Sequence, residues 1–290
     1  MSQNKLVIVT GANGQLGWEM QQAAKNAGQF EFRFFGSKDL DITDFEAVGL
    51  LIDKVKPQYI VNCAAYTAVD KAEDEENLAF RINGDAVGNL AKCASNVNAT
   101  LLHISTDYVF NGNAQTPYTP IEKCEPIGVY GKSKYEGEKQ IHEMANSAII
   151  IRTAWVYSSH GNNFVKTMLR LGKDKNELGI VSDQIGGPTY AKDLALNLVE
   201  LIRNGVKPSG VEVHHFTNDG VCSWAQFALE IFKLGKIECK VNFIKTEDYP
   251  TKAQRPKYSV LSNDSLLQKY PFLTNRNWKM ALEECVGKLS

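Results

Sequence analysis

The feature that most constrains this chain stands at its start. An apolar run from Lys5 to Thr10 leads straight into GANGQLG, with Gly11, Gly14 and Gly17, and then into a helix-compatible stretch from Gln15 to Ala27. Strand, glycine-rich turn and helix in that order place backbone N–H groups at a helix N-terminus, where the aligned peptide dipoles favour an anion such as a pyrophosphate. Gly11 permits the tight turn, Gly14 permits close approach to the backbone, and Gly17 lets helix and strand pack. The spacing is GxxGxxG and not GxGxxG, so a turn that merely packs tightly is the plainer alternative; the flanking strand and helix favour dinucleotide binding.

The same rhythm continues through the first half. β-rich runs recur at Phe30 to Phe35, Tyr59 to Cys63, Thr100 to Thr106 and Ala148 to Thr153, and intervals of about 25 to 40 residues leave room for a crossover helix each time. This predicts an α/β fold, a Rossmann-type doubly wound parallel sheet. Beyond about residue 160 the pattern loosens into helices near Asn163 to Leu171 and Ala191 to Arg203, a strand near Val211 to Phe216, and helices near Ser223 to Leu234 and Trp278 to Lys288. A smaller C-terminal α/β substrate lobe is expected there. The division predicted is residues 1–160 as the dinucleotide-binding unit, with a returning segment near 180–205, and 161–290 mainly as the substrate lobe. No low-complexity linker or internal repeat separates the halves, so the cleft between them is the expected ligand site.

Composition narrows the partners. Thirty-two Lys and Arg against 33 Asp and Glu give a net charge of -1, which supplies no global field for nucleic acid or anionic lipid. The apolar run Leu6 to Val9 is too short for a membrane span or a signal sequence, so the chain reads as cytoplasmic. The six cysteines form no CxxC pair and the adjacent His214 and His215 point to opposite faces of a strand, so no metal or disulfide framework is expected.

The second strand ends Phe34, Phe35, Gly36, Ser37, Lys38. An acid at that end would bond a ribose 2'-hydroxyl and repel a 2'-phosphate; a hydroxyl and an ammonium instead point to NADPH, with NADH as the alternative because Asp39 and Asp41 lie close by. Tyr130 and Lys134, in YGKSK, lie one helical turn apart at the start of a predicted helix and share a face. A neighbouring ammonium is expected to lower the phenol pKa and ease proton transfer. Tyr135 and Lys139 form a competing pair, roughly 140° around the helix; Tyr130 is preferred because it sits in the first turn, where the helix dipole favours a phenolate. The fourth run ends Ser105, Thr106, Asp107, Tyr108, and a hydroxyl delivered to the carboxyl edge of the sheet can hydrogen-bond a substrate carbonyl beside the phenol.

Together these residues resemble the extended short-chain dehydrogenase/reductase family, and within it the dTDP-4-dehydrorhamnose reductases. The resemblance covers nearly the whole chain and is carried by GANGQLGWE, DLDITD, VNCAAYTAVDKAE, STDYVFNG, YGKSKYEGE, RTAWVY, GNNF, DQIGGPT and PTKAQRP. It implies a catalytic set of Thr106, Tyr130 and Lys134, with Tyr130 as proton donor. It implies dinucleotide contacts from Asn13 to Gln15 with Leu16, from Asp41 and Ile42, and from Ala65, Tyr66 and Thr67. Substrate contacts are implied for Thr106, Asp107 and Tyr108, for Trp155 stacking on the sugar, and for Asn163 and Arg255. The implied reaction is NAD(P)H-dependent reduction of the C4 ketone of dTDP-4-dehydro-L-rhamnose to dTDP-L-rhamnose. Members are often homodimers and some use Mg²⁺ at the dimer contact, although no spacing here places a metal. Related sugar-nucleotide dehydratases carry Thr-Asp-Glu after the fourth strand, whereas this chain has Thr106, Asp107, Tyr108, which fits carbonyl reduction. Two alternatives stay open: a reductase or epimerase of another 4-keto sugar nucleotide, and a non-catalytic subunit similar to the regulatory subunit of methionine adenosyltransferase.

Overall fold

Strands buried on both faces need apolar residues at successive positions, and the first run supplies them: Val7 and Val9 face one side of a sheet and Ile8 the other. The computed structural model describes residues 5–25 and 27–289. Its elements run β1 (Lys5–Thr10), α1 (Gln15–Ala24), β2 (Phe30–Phe35), α2 (Phe45–Val55), β3 (Tyr59–Asn62), α3 (Val69–Ala72), α4 (Glu76–Phe80), a π-helical turn (Arg81–Asp85) leading into α5 (Ala86–Asn96), β4 (Thr100–Thr106), a 3₁₀ turn (Asp107–Val109), α6 (Val129–Met144) and β5 (Ser147–Thr153). The remainder comprises β6 (Val156–Tyr157), α7 (Phe164–Asp174), β7 (Glu177–Val181), β8 (Ile185–Gly186), β9 (Thr189–Tyr190), α8 (Ala191–Arg203), β10 (Gly210–His215), β11 (Cys222–Ser223), α9 (Trp224–Leu234), β12 (Lys240–Ile244), α10 (Asp264–Lys269) and α11 (Trp278–Gly287).

The central sheet has the order β2-β1-β3-β4-β5-β10 with every pairing parallel. One face packs on α1 and α8 through Leu16, Met20, Leu194, Leu198 and Ile202; the other packs on α2, α5 and α6 through Val48, Ile52, Val87, Leu90 and Ile141. The direction of winding reverses between β1 and β3, and the crevice beyond their carboxyl ends is where such sheets hold ligands.

One expectation needs correction. The chain order assigns the strand near Val211 to Phe216 to the smaller lobe; it forms as β10 and pairs with β5 as the sixth strand of the central sheet. The cause is α8, whose apolar face packs on α1 and carries the chain back to the sheet edge. Periodicity identifies a strand but not the sheet it joins. The smaller lobe is built from the short pairings β6–β9, β7–β12 and β8–β11. Its core is aromatic, with Tyr157, Tyr190, Phe227 and Trp278 packed against Val165, Ile231 and Leu282. All six cysteines are free thiols. Among the described residues no helix is long and apolar enough to cross a membrane.

Candidate active site at the sheet edge

A cavity of about 570 Å³ opens over the carboxyl ends of β1, β3, β4 and β5. At one end lies the glycine turn. Gly11 has φ +69°, and a side chain there would drive into the backbone of Cys63 and Ala64; a Cβ on Gly17 would lie 2.2 Å from the Gly11 carbonyl oxygen. Both positions therefore require glycine for turn and packing to coexist. The first turn of α1 carries no side-chain cap at Gly14. Helix N-termini expose N–H groups that must find partners elsewhere, and this one faces the cavity through Asn13, Gly14, Gln15 and Leu16. The cradle thus has the shape and the donors for a pyrophosphate.

The other end holds the reactive side chains. Thr106 closes β4 and Tyr130 and Lys134 come from the first turns of α6, and all three line the same cavity. Helix α6 can approach this closely because Gly131 sits against the Tyr108 carbonyl oxygen, where a Cβ would come within 2.2 Å. Its start is fixed by Glu73, whose Oε1 accepts from the Val129 N–H at 2.9 Å. Tyr130 meets the ring of Tyr108 edge-on at 5.4 Å, and its phenol faces the same cavity as the Thr106 hydroxyl. Burial pushes the Tyr130 phenol up to about 12 and the Lys134 ammonium down to about 8. The net shift of the phenol is therefore upward, where a downward one was expected from Lys134: desolvation dominates, the Asp107 carboxylate adds to it, and the nearby Thr106 hydroxyl opposes it. A phenol of this kind holds its proton at neutral pH and can deliver it to a more basic oxygen.

Asp107 follows, fully buried. The Thr106 hydroxyl donates to its Oδ1 at 3.0 Å, its Oδ2 is without a hydrogen-bond partner, and burial pushes the carboxyl up to about 6. Trp155 adopts φ +48°, a left-handed backbone costly for an indole side chain. The ring is held by Trp224, stacked at 3.6 Å, and by the flat face of Gly186. One side of Trp155 is thus engaged, and the residue still lines the cavity.

The rival pair falls elsewhere. Tyr135 and Lys139 line a separate surface groove with Cys124 and His142, and the Lys139 ammonium sits 5.7 Å over the Tyr135 ring. Of the remaining expected residues, Ala65 and Thr67 line the cavity whereas Tyr66 does not; its hydroxyl donates to Glu75 at 2.5 Å. Asn163 lines the cavity but its amide is engaged, donating to Gln15 Oε1 at 2.9 Å and the Ser158 carbonyl at 2.7 Å. Ser37 and Lys38 are exposed beyond β2, outside the cavity. Asp41 accepts from the Thr43 N–H at 2.9 Å, and Ile42 is buried in the core. Arg255 also lies outside the lining set and pairs with Asp70 at 2.7 Å. Among the described residues no group of three or more His, Cys, Asp or Glu side chains converges as a metal site.

Sequence reasoning missed Asn83. It lies in the π-helical turn, where the extra residue per turn directs its amide at the loop after β3: it accepts from the Tyr66 N–H at 2.9 Å and donates to the Tyr66 carbonyl at 3.0 Å and to Ser133 at 3.0 Å. The loop carrying Ala65 and Thr67 is thereby tied to the helix carrying Tyr130 and Lys134.

A family model described as RmlD substrate binding domain matches residues 5–290. This chain belongs to that family. A relative from Aggregatibacter actinomycetemcomitans named dTDP-4-dehydrorhamnose reductase is 40% identical over 285 residues, covering 96% of this chain and 97% of that protein. The crystal structure of a dTDP-4-dehydrorhamnose reductase from Clostridium acetobutylicum matches with a TM-score of 0.92 at 43% identity, covering 98% of this chain and 99% of that one. The dTDP-4-dehydrorhamnose reductase of Bacillus anthracis, solved in complex with NADP, matches with a TM-score of 0.92 at 40% identity, covering 98% of this chain and 99% of that one. Membership of the RmlD family thus spans both the central sheet and the aromatic lobe.

Proposed function

We propose that this chain reduces the C4 ketone of dTDP-4-dehydro-L-rhamnose to dTDP-L-rhamnose with a reduced nicotinamide dinucleotide. The observation that carries the reading is one cavity lined at one end by an uncapped glycine-rich helix N-terminus and at the other by Thr106, Tyr130 and Lys134. The full-length similarity to proteins named for that reaction supports it. The central sheet with α8 and β10 holds the dinucleotide, and the aromatic lobe closes over the sugar nucleotide.

Gly11, Asn13 to Gly17, Ala65, Thr67 and Lys134 would hold the dinucleotide, which when bound supplies the hydride. As the ketone oxygen gains charge, Thr106 orients it and Tyr130 donates the phenolic proton. Trp155, fixed by Trp224, walls the sugar, and Asp107 and Tyr108 complete that side of the cavity. NADPH is the preferred donor in this reading. No acid ends β2, Ser37 and Lys38 stand exposed beyond it, and the Asp39 carboxylate is engaged by the Gly36 N–H at 2.9 Å. The NADP-bound relative from Bacillus anthracis agrees with that preference.

The test is loss of reduced-nicotinamide absorbance with enzymatically generated dTDP-4-dehydro-L-rhamnose, run with NADPH and NADH and against other 4-keto sugar nucleotides. Rapid oxidation, favouring NADPH and this ketone, is expected. Cofactor binding without turnover of any ketone would overturn the reading.

A further inference from the structure

Beneath Lys134 a line of buried polar groups crosses three strands: Thr10 on β1, Asn62 on β3 and His103 on β4. None of the three lines the cavity, and each is buried, so each is costly unless fully paired. Their hydrogen bonds admit one pattern. The Ala64 N–H, a donor by necessity, lies 3.1 Å from Asn62 Oδ1, and the Thr10 hydroxyl donates to the same oxygen at 2.7 Å. The amide of Asn62 is thereby oriented, and its Nδ2 faces His103 Nδ1 at 3.0 Å. A donor at that place requires a lone pair on Nδ1. Burial, with the charge of Lys134 nearby, holds His103 well below the ordinary histidine range, so the ring is neutral and its single proton sits on Nε2.

That Nε2–H points at Lys134 Nζ, 3.3 Å away. The lysine donates to the Ile104 carbonyl at 2.7 Å, but toward His103 an ammonium meets a second donor. Only the neutral amine has a lone pair to accept the bond, so the whole line is satisfied when Lys134 has given up a proton. We propose that His103 is a positioning residue: locked by Asn62 as the Nε2–H tautomer, it presents a donor to Lys134 and readies the lysine to pass a proton toward Tyr130 during turnover. This rests on the catalytic assignment made above. In that sequence the carbon takes a hydride from the reduced dinucleotide, the ketone oxygen takes the phenolic proton, and the Tyr130 phenolate recovers a proton from the Lys134 ammonium. The resulting amine accepts the His103 N–H until a solvent proton restores its charge.

The other groups around Lys134 do not do this work. The Cys63 thiol, at the end of β3, is pushed up to about 12 by burial and stays neutral. Glu138, one turn on along α6, would stabilise the ammonium, but its carboxylate is engaged by Arg152 of β5 and by Ser105. The descent of Lys134 to about 8 with burial as its cause agrees with a poised lysine.

The experiment is nitrogen NMR on protein labelled with ¹⁵N-histidine, with His103 assigned by comparison with His103→Gln. The expected result from pH 6 to 9 is a protonated Nε2 and a bare Nδ1, with the Nε2 shift titrating as Lys134 does and losing that step in Lys134→Met. An Nδ1–H tautomer, or a doubly protonated ring at pH 7, overturns the proposal. The second arm is Asn62→Asp, whose carboxylate can accept from Nδ1–H and so reverse the tautomer, making Nε2 an acceptor for the ammonium. Lys134 must be charged to donate, so activity falls as pH rises through its pKa, and a raised pKa moves that basic limb upward. The limb in kcat/KM should rise by about one pH unit, with kcat reduced about tenfold and KM within about twofold. A reversed tautomer with an unchanged pH profile overturns the proposal. Normal turnover in Lys134→Met would instead sink the catalytic assignment, whatever tautomer His103 shows.

Discussion

Replacing Glu138 by Gln should cost more stability than any other single isosteric change near the site. The Glu138 carboxylate accepts from Arg152 Nε at 3.0 Å, from Arg152 Nη2 at 2.7 Å and from the Ser105 hydroxyl at 2.5 Å. Its side chain is 1% exposed and that of Arg152 is 4% exposed. Glutamine keeps the shape but turns an NH₂ toward one guanidinium N–H and removes the charge that balances Arg152. The remaining guanidinium contacts, with the Pro120 carbonyl at 3.3 Å, Cys124 Sγ at 3.1 Å and the Phe110 ring at 5.1 Å, carry no countercharge. Breaking a buried pair from one side costs about 3 to 5 kcal/mol, because the partner is left as an uncompensated buried ion. Against a total of about 5 to 15 kcal/mol for a folded protein, that is a large fraction. Urea denaturation followed by tryptophan fluorescence should show the midpoint falling by about 1 M or more. Removing both charges, as Glu138→Leu with Arg152→Met, should recover at least half of the loss, since well-packed apolar replacements of a buried pair are often neutral. A single variant within about 1 kcal/mol of wild type, or a double variant as unstable as the sum of the two singles, would refute the reasoning.

Two further outcomes follow from the structure. Gly17→Ala places a methyl 2.2 Å from the Gly11 carbonyl oxygen and 2.7 Å from Ala12 Cα, so α1 must shift off the turn; NADPH affinity by fluorescence titration should weaken about tenfold or more with a stability loss of about 1 to 3 kcal/mol, and unchanged affinity would show that the turn does not cradle the dinucleotide. Glu284 is pulled down to about 2: burial alone would raise it, but hydrogen bonds from Lys192, Arg276 and Lys288 outweigh that penalty. A carboxyl depressed in the folded state stabilises above its unfolded pKa and loses that contribution as pH falls through the folded one. Glu284→Gln should therefore be less stable than wild type at pH 7 by about 1 to 2 kcal/mol, allowing for partial exposure, with urea midpoints beginning to converge near pH 5 and meeting only as pH falls through about 2; a gap that widens on acidification would contradict this.

Much of this architecture was legible in the chain itself because strand runs and glycine turns are local signals. Val7, Ile8 and Val9 announce a two-sided strand, and GANGQLG can hardly follow such a strand without forming a turn that only glycine tolerates. Tyr130 and Tyr135 could be separated by rotation about one helix, and the structure puts them on different cavities. What could not be read depends on tertiary partners. The sheet that β10 joins is decided by α8 packing on α1, and the direction of the Tyr130 pKa shift is decided by burial, which spacing does not report. Asn62 and His103 look like lone polar interruptions of apolar strands until register sets them side by side. Asn83 acts through a π-turn that its sequence, RINGD, does not advertise. Arg255 belongs to a loop whose docking on Asp70 spans most of the chain length.

The central claim is that Tyr130 is the proton donor of a carbonyl reduction. The most direct measurement is the single-turnover rate of NADPH oxidation by dTDP-4-dehydro-L-rhamnose for wild type, Tyr130→Phe and Tyr135→Phe, with NADPH affinity measured alongside. Loss of a positioned general acid slows such a step by about 10² to 10⁴. The expected result is a loss of that size in Tyr130→Phe with NADPH affinity nearly unchanged, and a Tyr135→Phe rate within about threefold of wild type. A Tyr130→Phe enzyme that turns over at the wild-type rate would contradict the account.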